Sequence, residues 1–396
     1  MYTSLRLLGA AWLACGLAAT ALGQASYPML MHLAPIAVQV GTTSECQLSA
    51  AHNLYGATQV LVTGSGVTGE VVAPPGAADQ PPPEQKPMVP AITLRFTVAA
   101  DALPGVRGFR VITPQGPSTY GQLVVVRDPV VTEAANNNTR ETAQVVTLPA
   151  TLCGAIEAAE DVDCYKFTAS AGSAWTFHVQ CGRLQDKIHD LQTHADPILT
   201  LRNAAGSIIA TSDNFYAADP LLSYSFAADG EYFLEIRDVR FQGNPHWQYA
   251  IEAVQRPFIT ALHPTGVQPG VSTRVELAGY NLPSESWAEI MLPADAAGGI
   301  HWVSPTLAGG PVNAVPVVSS PLAGAVELPM ENGSPSSAQP LPLPFGVSGR
   351  IEAAADRDCF AFEARQGEKW SFEVIGRRVL SALDPKLRLM NAEGSV

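Results

Sequence analysis

The residues best suited to metal chemistry in this sequence lie close together between Asp186 and Asp196. This stretch also contains His189, Asp190 and His194, and imidazole and carboxylate groups are common ligands of transition metals. The five-residue spacing of the histidines is not that of a standard ligand pair, and a solvated loop is the alternative interpretation. The segment therefore predicts either a metal site or an elaborated surface loop.

A glycine-rich motif, Gly64-Ser-Gly66-Val-Thr-Gly69, follows a predicted strand at 59–62. A dinucleotide site of the GxGxxG type also needs a helix directly after the glycines. The residues that follow, Glu70-Val-Val-Ala-Pro-Pro, cannot form one, so the motif predicts a hairpin turn. The sequence contains no GxSxG or HExxH motif, and we expect it to be non-catalytic.

Several aromatic residues could stack on sugar rings and so define a carbohydrate-binding face. Four of them fall in predicted loops, which favours a surface position: Phe215, Tyr216, His246 and Trp247. Trp175 belongs to the same candidate group but recurs as Trp370 in a repeat described below, which favours packing in a core.

Composition restricts both the class of partner and the compartment. The chain of 396 residues carries a formal net charge of -13, which argues against nucleic acid, because phosphate-binding surfaces need clustered Lys and Arg. Arg6 is the only charge before the apolar run 7–22, so residues 1–23 are predicted to be a signal peptide. A membrane anchor and a lipoprotein modified at Cys15 are the alternatives. No membrane span is expected after signal cleavage.

Two segments of the chain repeat in the order A–B–A′–B′. The stretch Gly154–Phe167 returns as Gly349–Phe362 at an offset of 195 residues. More faintly, Pro35–Gly41 returns as Pro264–Gly270 at an offset of 229. Repeats of this length indicate folded units used twice, and they favour binding, spacing or anchoring over a single catalytic pocket.

Short runs of alternating apolar residues, separated by Gly, Pro and Asn, predict an all-β chain of tandem β-sandwiches. The predicted units are a signal peptide (1–23), an immunoglobulin-like domain (24–130) with a Pro-rich loop (73–90), a jelly-roll-like sandwich (131–254), a second immunoglobulin-like domain (255–330) and an incomplete second sandwich (331–396). Because the last unit has no counterpart of 209–253, we expect the sequence to be a fragment or a truncated product. At most one disulfide is expected, among Cys153, Cys164 and Cys181.

The B segment carries a long spaced pattern: Gly154-x-Ile156, Asp161-x-Asp163-x-Tyr165-x-Phe167, Gly172, Asp196-Pro197 and Gly230-x-Tyr232. In these residues it resembles the bacterial pre-peptidase C-terminal (PPC) domain, and B′ resembles it over fewer positions. Segments A and A′ resemble immunoglobulin-like domains of the IPT/TIG type in their Pro-x-x-x-x-x-Gly and Asn-Leu pairs. The resemblance implies β-sandwiches outside the cytoplasm, often appended to secreted peptidases, with no catalysis by the module itself.

Some PPC domains bind calcium where the linker meets the first strands. The resemblance transfers this candidate site onto six residues of segment B: Glu133, Asn137, Asn138, Glu160, Asp161 and Asp163. Carboxylate and amide oxygens are the ligands that Ca²⁺ prefers. The alternative is that Asp161 and Asp163 cap a turn through their own backbone.

The 195-residue offset, extended into the second copy, places Leu328 at Glu133 and Ala355 at Glu160. It leaves three of the candidate ligands, with Glu331 as a substitute: Asn332, Asp356 and Asp358. Calcium is therefore also a candidate in B′, with fewer carboxylates.

These patterns favour an exported, non-catalytic modular protein with a structural, adhesive or binding role at or outside the cell surface. The expected partner is a cell-surface or extracellular protein or polysaccharide. One alternative is the accessory N-terminal region of a larger secreted peptidase or other hydrolase. Another is a carbohydrate-binding module.

Overall fold

The computed structural model describes residues 27–73, 87–185, 188, 191–308, 310–329, 331–391 and 394–395. The predicted signal peptide, most of the Pro-rich loop, Asp186, His189 and Asp190 lie outside the described residues. Nearly all regular structure within these ranges is β, so the prediction of an all-β chain of tandem sandwiches is confirmed. No helix within these ranges is long and apolar enough to cross a membrane.

The first sandwich contains nine strands in which buried and exposed residues alternate, as in β3, where Cys46 and Leu48 face the core. The strands are β1 (Leu30–Ala34), β2 (Ala37–Gln39), β3 (Thr43–Ala50), β4 (Gln59–Val62), β5 (Val67–Val72), β6 (Ala91–Val98), β7 (Gly105–Thr113), β8 (Gly116–Pro117) and β9 (Gly121–Val126). They are ordered β1-β3-β6-β5-β4-β7-β9-β2, with β8 beside β7. A single residue pair, Val60 with Gly69, joins β4 to β5 and so connects the two halves.

The second sandwich is built from two five-stranded sheets. Its strands are β10 (Val130–Thr132), β11 (Gln144–Val145), β12 (Ala150–Ala155), β13 (Asp163–Ala169), β14 (Ala174–Gln180), β15 (Pro197–Asn203), β16 (Ile208–Ser212), β17 (Leu221–Ser225), β18 (Gly230–Asp238) and β19 (Gln248–Val254). One sheet is β10-β12-β19-β14-β17 and the other is β11-β13-β18-β15-β16. A short helix, α1 (Gly182–Gln185), follows β14. Large aromatic side chains, among them Tyr165, Phe177 and Tyr249, fill the space between the sheets.

The third sandwich is smaller and has two three-stranded sheets, β20-β22-β23 and β21-β27-β24. Its strands are β20 (Phe258–His263), β21 (Gly266–Val267), β22 (Thr273–Tyr280), β23 (Trp287–Ile290), β24 (Gly299–Val303), β25 (Thr306–Leu307), β26 (Gly310–Pro311) and β27 (Val315–Ser319). The last segment has only short strands: β28 (Gly324–Val326), β29 (Gln339–Pro340), β30 (Gly346–Ser348) and β31 (Phe360–Ala361). Two 3₁₀ turns, Pro335–Ser337 and Arg377–Val379, complete the described elements.

The sandwiches contact one another directly. The Gln248 side chain accepts a hydrogen bond from the Leu33 amide at 3.0 Å and donates one to the Leu33 carbonyl at 2.6 Å. Arg256 donates to Asp128 at 2.6 Å, across the two ends of the second sandwich's chain. Tyr216 donates its hydroxyl to the Thr260 carbonyl at 3.4 Å and so joins the second sandwich to the third.

All five cysteines in the described ranges are free thiols, so no bridge joins Cys153, Cys164 and Cys181, among which at most one was expected. Burial raises the pKa of Cys46, Cys153 and Cys164 to about 12. The thiolate is the reactive form, and these thiols are therefore inert core side chains.

Candidate functional site

The candidate calcium residues come together where the chain leaves β10. Glu133 directly follows this strand, and its amide donates to the Cys153 carbonyl at 2.7 Å. The Glu133 carboxylate turns inward and accepts the Ala155 amide at 3.1 Å. Gly154 makes this approach possible, because a Cβ on that residue would lie 2.1 Å from Glu133 Oε2.

Asp163 begins β13 and is 1% exposed. Its carboxylate accepts the Tyr249 hydroxyl at 2.8 Å, and the hydroxyls of Tyr249 and Tyr165 lie 2.6 Å apart. Burial, together with a hydrogen bond to Glu133, raises the pKa of Asp163 to about 10. Burial also raises the pKa of Glu133, against the opposing effect of the hydrogen bonds it accepts from Asp163 and the Ala155 amide. Without a cation, the pair therefore holds a proton at neutral pH.

Asn137 lies beside this carboxyl pair. Asn137 is buried, and its backbone carbonyl accepts the Cys164 amide at 2.9 Å. Its side-chain amide, oriented with nitrogen toward the acceptors, donates at 3.2 Å to Glu133 Oε1 and the Ala134 carbonyl. Two oxygens, Glu133 Oε1 and the Ala134 carbonyl, thus converge on the Asn137 amide nitrogen.

Asn138 and Asp161 form the outer edge of the group. Asn138 donates to Asp161 Oδ1 at 2.9 Å, while the other oxygen, Asp161 Oδ2, accepts the Glu157 amide at 2.7 Å. Asp161 therefore caps its own turn, as the alternative interpretation proposed. Asp163 makes no such local contact among the hydrogen bonds of the described chain; its partners come from distant strands.

Glu160 lies apart from the other five residues. It has a left-handed backbone, with φ at 65°, and its amide donates to the Phe241 carbonyl at 3.0 Å. Its side chain is exposed, and within the described ranges no hydrogen bond or ion pair connects that side chain to the cluster. The structure brings together Glu133, Asn137, Asn138, Asp161 and Asp163.

The donor atoms brought together here are oxygens, whereas transition metals commonly take imidazole and thiolate ligands. The described residues contain no group of three His, Cys, Asp or Glu side chains placed to bind one ion. The cluster offers the buried Asp163 carboxyl, the half-buried Glu133 carboxyl and the Ala134 carbonyl, hard oxygen donors of the kind Ca²⁺ takes, and Asn137 would add its own oxygen if its side-chain amide turned over. A dication would replace the shared proton and offset the cost of burying two like charges.

The last segment repeats this arrangement with a different acid from the one expected. Glu327, not Leu328, takes the place of Glu133, because its Oε2 accepts the Arg350 amide at 2.9 Å as Glu133 accepts Ala155. One residue more separates Glu327 from Asn332 than separates Glu133 from Asn137, so a fixed offset of 195 residues could not match Glu327 to Glu133. Asn332 donates to Glu327 Oε1 at 2.8 Å.

The acid pair is therefore present in both copies. Burial and the neighbouring Glu327 raise the pKa of Asp358 to about 7, a smaller change than for Asp163, which is more deeply buried. Asp356 accepts the Glu352 amide at 2.9 Å and repeats the turn cap of Asp161. Glu331 is not needed as a substitute acid, because Glu327 supplies the carboxylate.

The aromatic residues do not form an exposed sugar-binding face. Tyr216 and Trp247 are buried, so the prediction of a surface position is wrong for these two. Trp247 donates its indole N–H to the Thr193 carbonyl at 3.0 Å, which anchors its loop. Phe215 remains exposed, and Trp175 is buried as expected. Desolvation lowers the pKa of the half-buried His246.

The other sequence motifs have structural roles where the structure describes them. Gly64 and Gly66 both have φ at 80° in the turn between β4 and β5, which confirms the hairpin. His194 offers its backbone carbonyl to Arg240 at 3.1 Å, and the Asp196 amide donates to Asp238 at 2.9 Å. The predicted transition-metal site involves residues outside the described ranges and stays a prediction.

The sequence did not predict a buried polar network that joins strands β14 and β19 of the second sandwich. His178 Nδ1 lies 3.3 Å from Glu252 Oε1, and Arg183 Nη2 lies 3.0 Å from His178 Nε2. Arg183 also donates to buried Asp219 at 2.5 Å. A His–carboxylate pair resembles the base and orienting acid of a hydrolase, but here arginine occupies the nitrogen that would take a nucleophile's proton. The only sign of this network in the sequence was the presence of polar residues within otherwise apolar strands. That pattern occurs in many sheets and does not predict a catalytic or binding site.

No protein-family model and no curated protein matches this sequence. Among solved structures, the pre-peptidase C-terminal domain of a Bacillus anthracis collagenase is similar at 16% identity and a TM-score of 0.23, over 30% of this chain and 100% of that one. The Yersinia pseudotuberculosis adhesin InvE is similar at 14% identity and a TM-score of 0.18, over 72% of this chain and 68% of that one. SGBP-B of Bacteroides ovatus, solved with a mixed-linkage heptasaccharide, is similar at 10% identity and a TM-score of 0.18, over 55% of this chain and 72% of that one. Similarities this low assign neither a family nor a function.

Proposed function

We propose that this chain is an exported, non-catalytic modular protein with a binding or structural role at or outside the cell surface. In this proposal its second sandwich is a PPC-type domain stabilised by Ca²⁺. The observation that carries the proposal is the contact of the half-buried Glu133 carboxyl with the buried Asp163, repeated nearer the surface as Glu327–Asp358. Placing one acid against another that is buried is costly, and a bound cation would offset that cost.

Extracytoplasmic placement agrees with this chemistry. Extracellular calcium modules work with dissociation constants of about 10⁻⁴–10⁻³ M. The cluster has few carboxylates and its outer member, Asp161, also caps a turn, so an affinity in this weak range is expected. The proposed non-catalytic role does not draw on the His178–Glu252 pair, whose outer histidine nitrogen contacts Arg183.

The first test is thermal unfolding of the whole chain in EDTA and in millimolar Ca²⁺. Calcium at 100 times its dissociation constant should add about 2.7 kcal/mol to the stability of the unit that binds it. We expect a raised melting temperature for the wild type and little response in Glu133→Gln and Asp163→Asn. Both variants should stay folded in EDTA, because an amide matches the protonated carboxyl in size and can keep the hydrogen bond across the pair.

Asp229→Asn is the matched control, since Asp229 accepts the Ala171 amide at 2.8 Å far from the cluster. It should keep the full calcium response. A wild-type melting temperature that is the same in EDTA and in about 10 mM Ca²⁺, at least about tenfold above the expected dissociation constant, would refute the site.

A further inference from the structure

The third sandwich repeats the first strand by strand, with two strands missing. Strands β20, β21 and β22 correspond to β1, β2 and β3, while β23 corresponds to β6 and β27 to β9. Strands β24 and β25 together correspond to β7. Gly105 and Gly299 begin β7 and β24 with φ at 125° and 130°, and Gly116 and Gly310 begin the short strands β8 and β26 with φ at 115° and 103°. The third sandwich has no counterpart of β4 and β5.

In the first sandwich these two strands cover both sheet edges. Strand β5 pairs with β6 from Val67 to Val72, and β4 pairs with β7 from Gln59 to Val62. In the third sandwich, β23 and the stretch 303–306, which corresponds to 109–112 of β7, pair with no strand of the described chain on that side. Pro305 in this stretch has a carbonyl but no N–H. An open edge presents a row of unpaired N–H and C=O groups to any added strand.

Large apolar side chains stand along these open edges. Pairing registers place Trp287 where the first sandwich has Thr93, and Trp302 where it has Gly108. Continuing the same register places Met291 at Thr97. The three side chains are 40%, 46% and 67% exposed, in the order Trp287, Trp302 and Met291. Edge strands are normally protected by charge or proline, and exposed aromatic and Met side chains instead suit a binding surface.

The charges on the same edge specify the strand that would fit. In the first sandwich Arg95 on β6 lies between Glu45 on β3 and Glu70 on β5, at 2.7 Å from each. In the third sandwich Arg274 stands at the position of Glu45 and Glu289 at the position of Arg95, so the charges are reversed. The two residues pair directly across β22 and β23. Glu289 accepts a hydrogen bond from Ser272 and forms no ion pair within the described chain. The position of Glu70 therefore calls for a Lys or Arg.

We propose that the open edges of the third sandwich bind a β-hairpin from another protein. The hairpin takes the place that β4 and β5 have in the first sandwich, and it carries Lys or Arg opposite Glu289 and apolar residues beside Trp287, Met291 and Trp302. This deepens the binding role proposed above and rests on it. A second copy of this chain is a poor occupant, because two chains of net charge -13 repel each other.

The test uses the whole chain and a peptide taken from its own first sandwich. The peptide has the sequence of residues 58–73, which spans β4 and β5, with Glu70→Arg. Backbone amide hydrogen exchange should show new protection at 287–290 and at Val303, Ser304 and Thr306 when this peptide is added, because these residues correspond to the positions that β5 and β4 pair with in the first sandwich. The unchanged peptide should bind about tenfold more weakly, because its Glu70 faces Glu289.

The chain variant Glu289→Arg should reverse this preference and bind the unchanged peptide better. The double variant Trp287→Ser, Trp302→Ser should lose binding of both peptides while its unfolding temperature stays that of the wild type. The proposal is wrong if neither peptide protects these strands, or if protection appears only in β6 and β7 of the first sandwich. It is also wrong if the chain alone protects them by dimerising. None of these results bears on calcium, which is read at the second sandwich.

Discussion

At the scale of single residues, the Glu133–Asp163 pair links the stability of the second sandwich to pH. The fold raises the pKa of Asp163 to about 10, far above that of an exposed aspartate. A group of this kind stabilises the fold fully below its unfolded pKa, near 4, and loses that contribution as pH rises toward the folded value. Calcium displaces the proton, so its effect must increase in the same direction.

We therefore predict that, in EDTA, the melting temperature of the second sandwich falls between about pH 5 and about pH 9. The rise caused by calcium should be larger at the higher pH. Melting curves over this range, with and without calcium, give both quantities. Asp163→Asn should flatten the EDTA profile, and a profile as steep as that of the wild type would show that other groups are responsible.

Gly154 offers a second test at this scale. Its Cβ would lie 2.1 Å from Glu133 Oε2 and 2.4 Å from the Tyr249 hydroxyl, so Gly154→Ala must displace both side chains. We expect a loss of about 1–3 kcal/mol in the free energy of unfolding and a weakened calcium response. Chemical denaturation measures the first quantity. Gly230→Ala is the control, because its nearest neighbour would be 3.9 Å away, and an equal loss there would contradict the explanation.

At the scale of elements, the sequence predicted the strands well because their signal is local. Alternation such as Cys46 and Leu48 in β3 reports which side of a strand is buried, and the structure has these residues in the core. The hairpin at Gly64 and Gly66 was equally readable, since both have positive φ. Each of these predictions depends only on neighbours within a few residues.

The predictions that failed depended on distant contacts. The acid equivalent to Glu133 was missed because one inserted residue shifts the register between Glu327 and Asn332, and only the Arg350 amide reveals the match. Tyr216 and Trp247 were expected at the surface because they lie in loops. They are buried because partners from other elements, such as the Thr193 carbonyl, hold those loops against the core.

At the scale of the whole molecule, the repeat order suggested independent units, but the first two sandwiches share a core. Cys153, Leu184 and Ala250 of the second sandwich pack in the apolar cluster of the first. Gln248 adds two hydrogen bonds to the Leu33 backbone, in the manner of a paired strand. The two sandwiches should therefore move as one body.

Gln248→Ala tests this connection. The loss of two largely buried hydrogen bonds should cost about 1–3 kcal/mol at the interface and expose the Leu33 amide to solvent. Hydrogen exchange at Leu33 should become faster while amides in β13 and β18 keep their protection. Gln47→Ala is the control, since Gln47 bonds only to Thr93 within the first sandwich. Unchanged exchange at Leu33 in Gln248→Ala would mean that the two sandwiches are held together elsewhere.

The position of the two chain connections has a mechanical consequence. The chain enters the second sandwich at Val130 and leaves it at Val254, and Asp128 and Arg256 meet across this gap at 2.6 Å. A force that stretches the chain would therefore act on the second sandwich at two neighbouring points. The Asp128–Arg256 ion pair would carry part of this tension between the first and third sandwiches. The carboxyl cluster, whose Glu133 directly follows β10, would feel the whole of that tension only after the Asp128–Arg256 ion pair had parted.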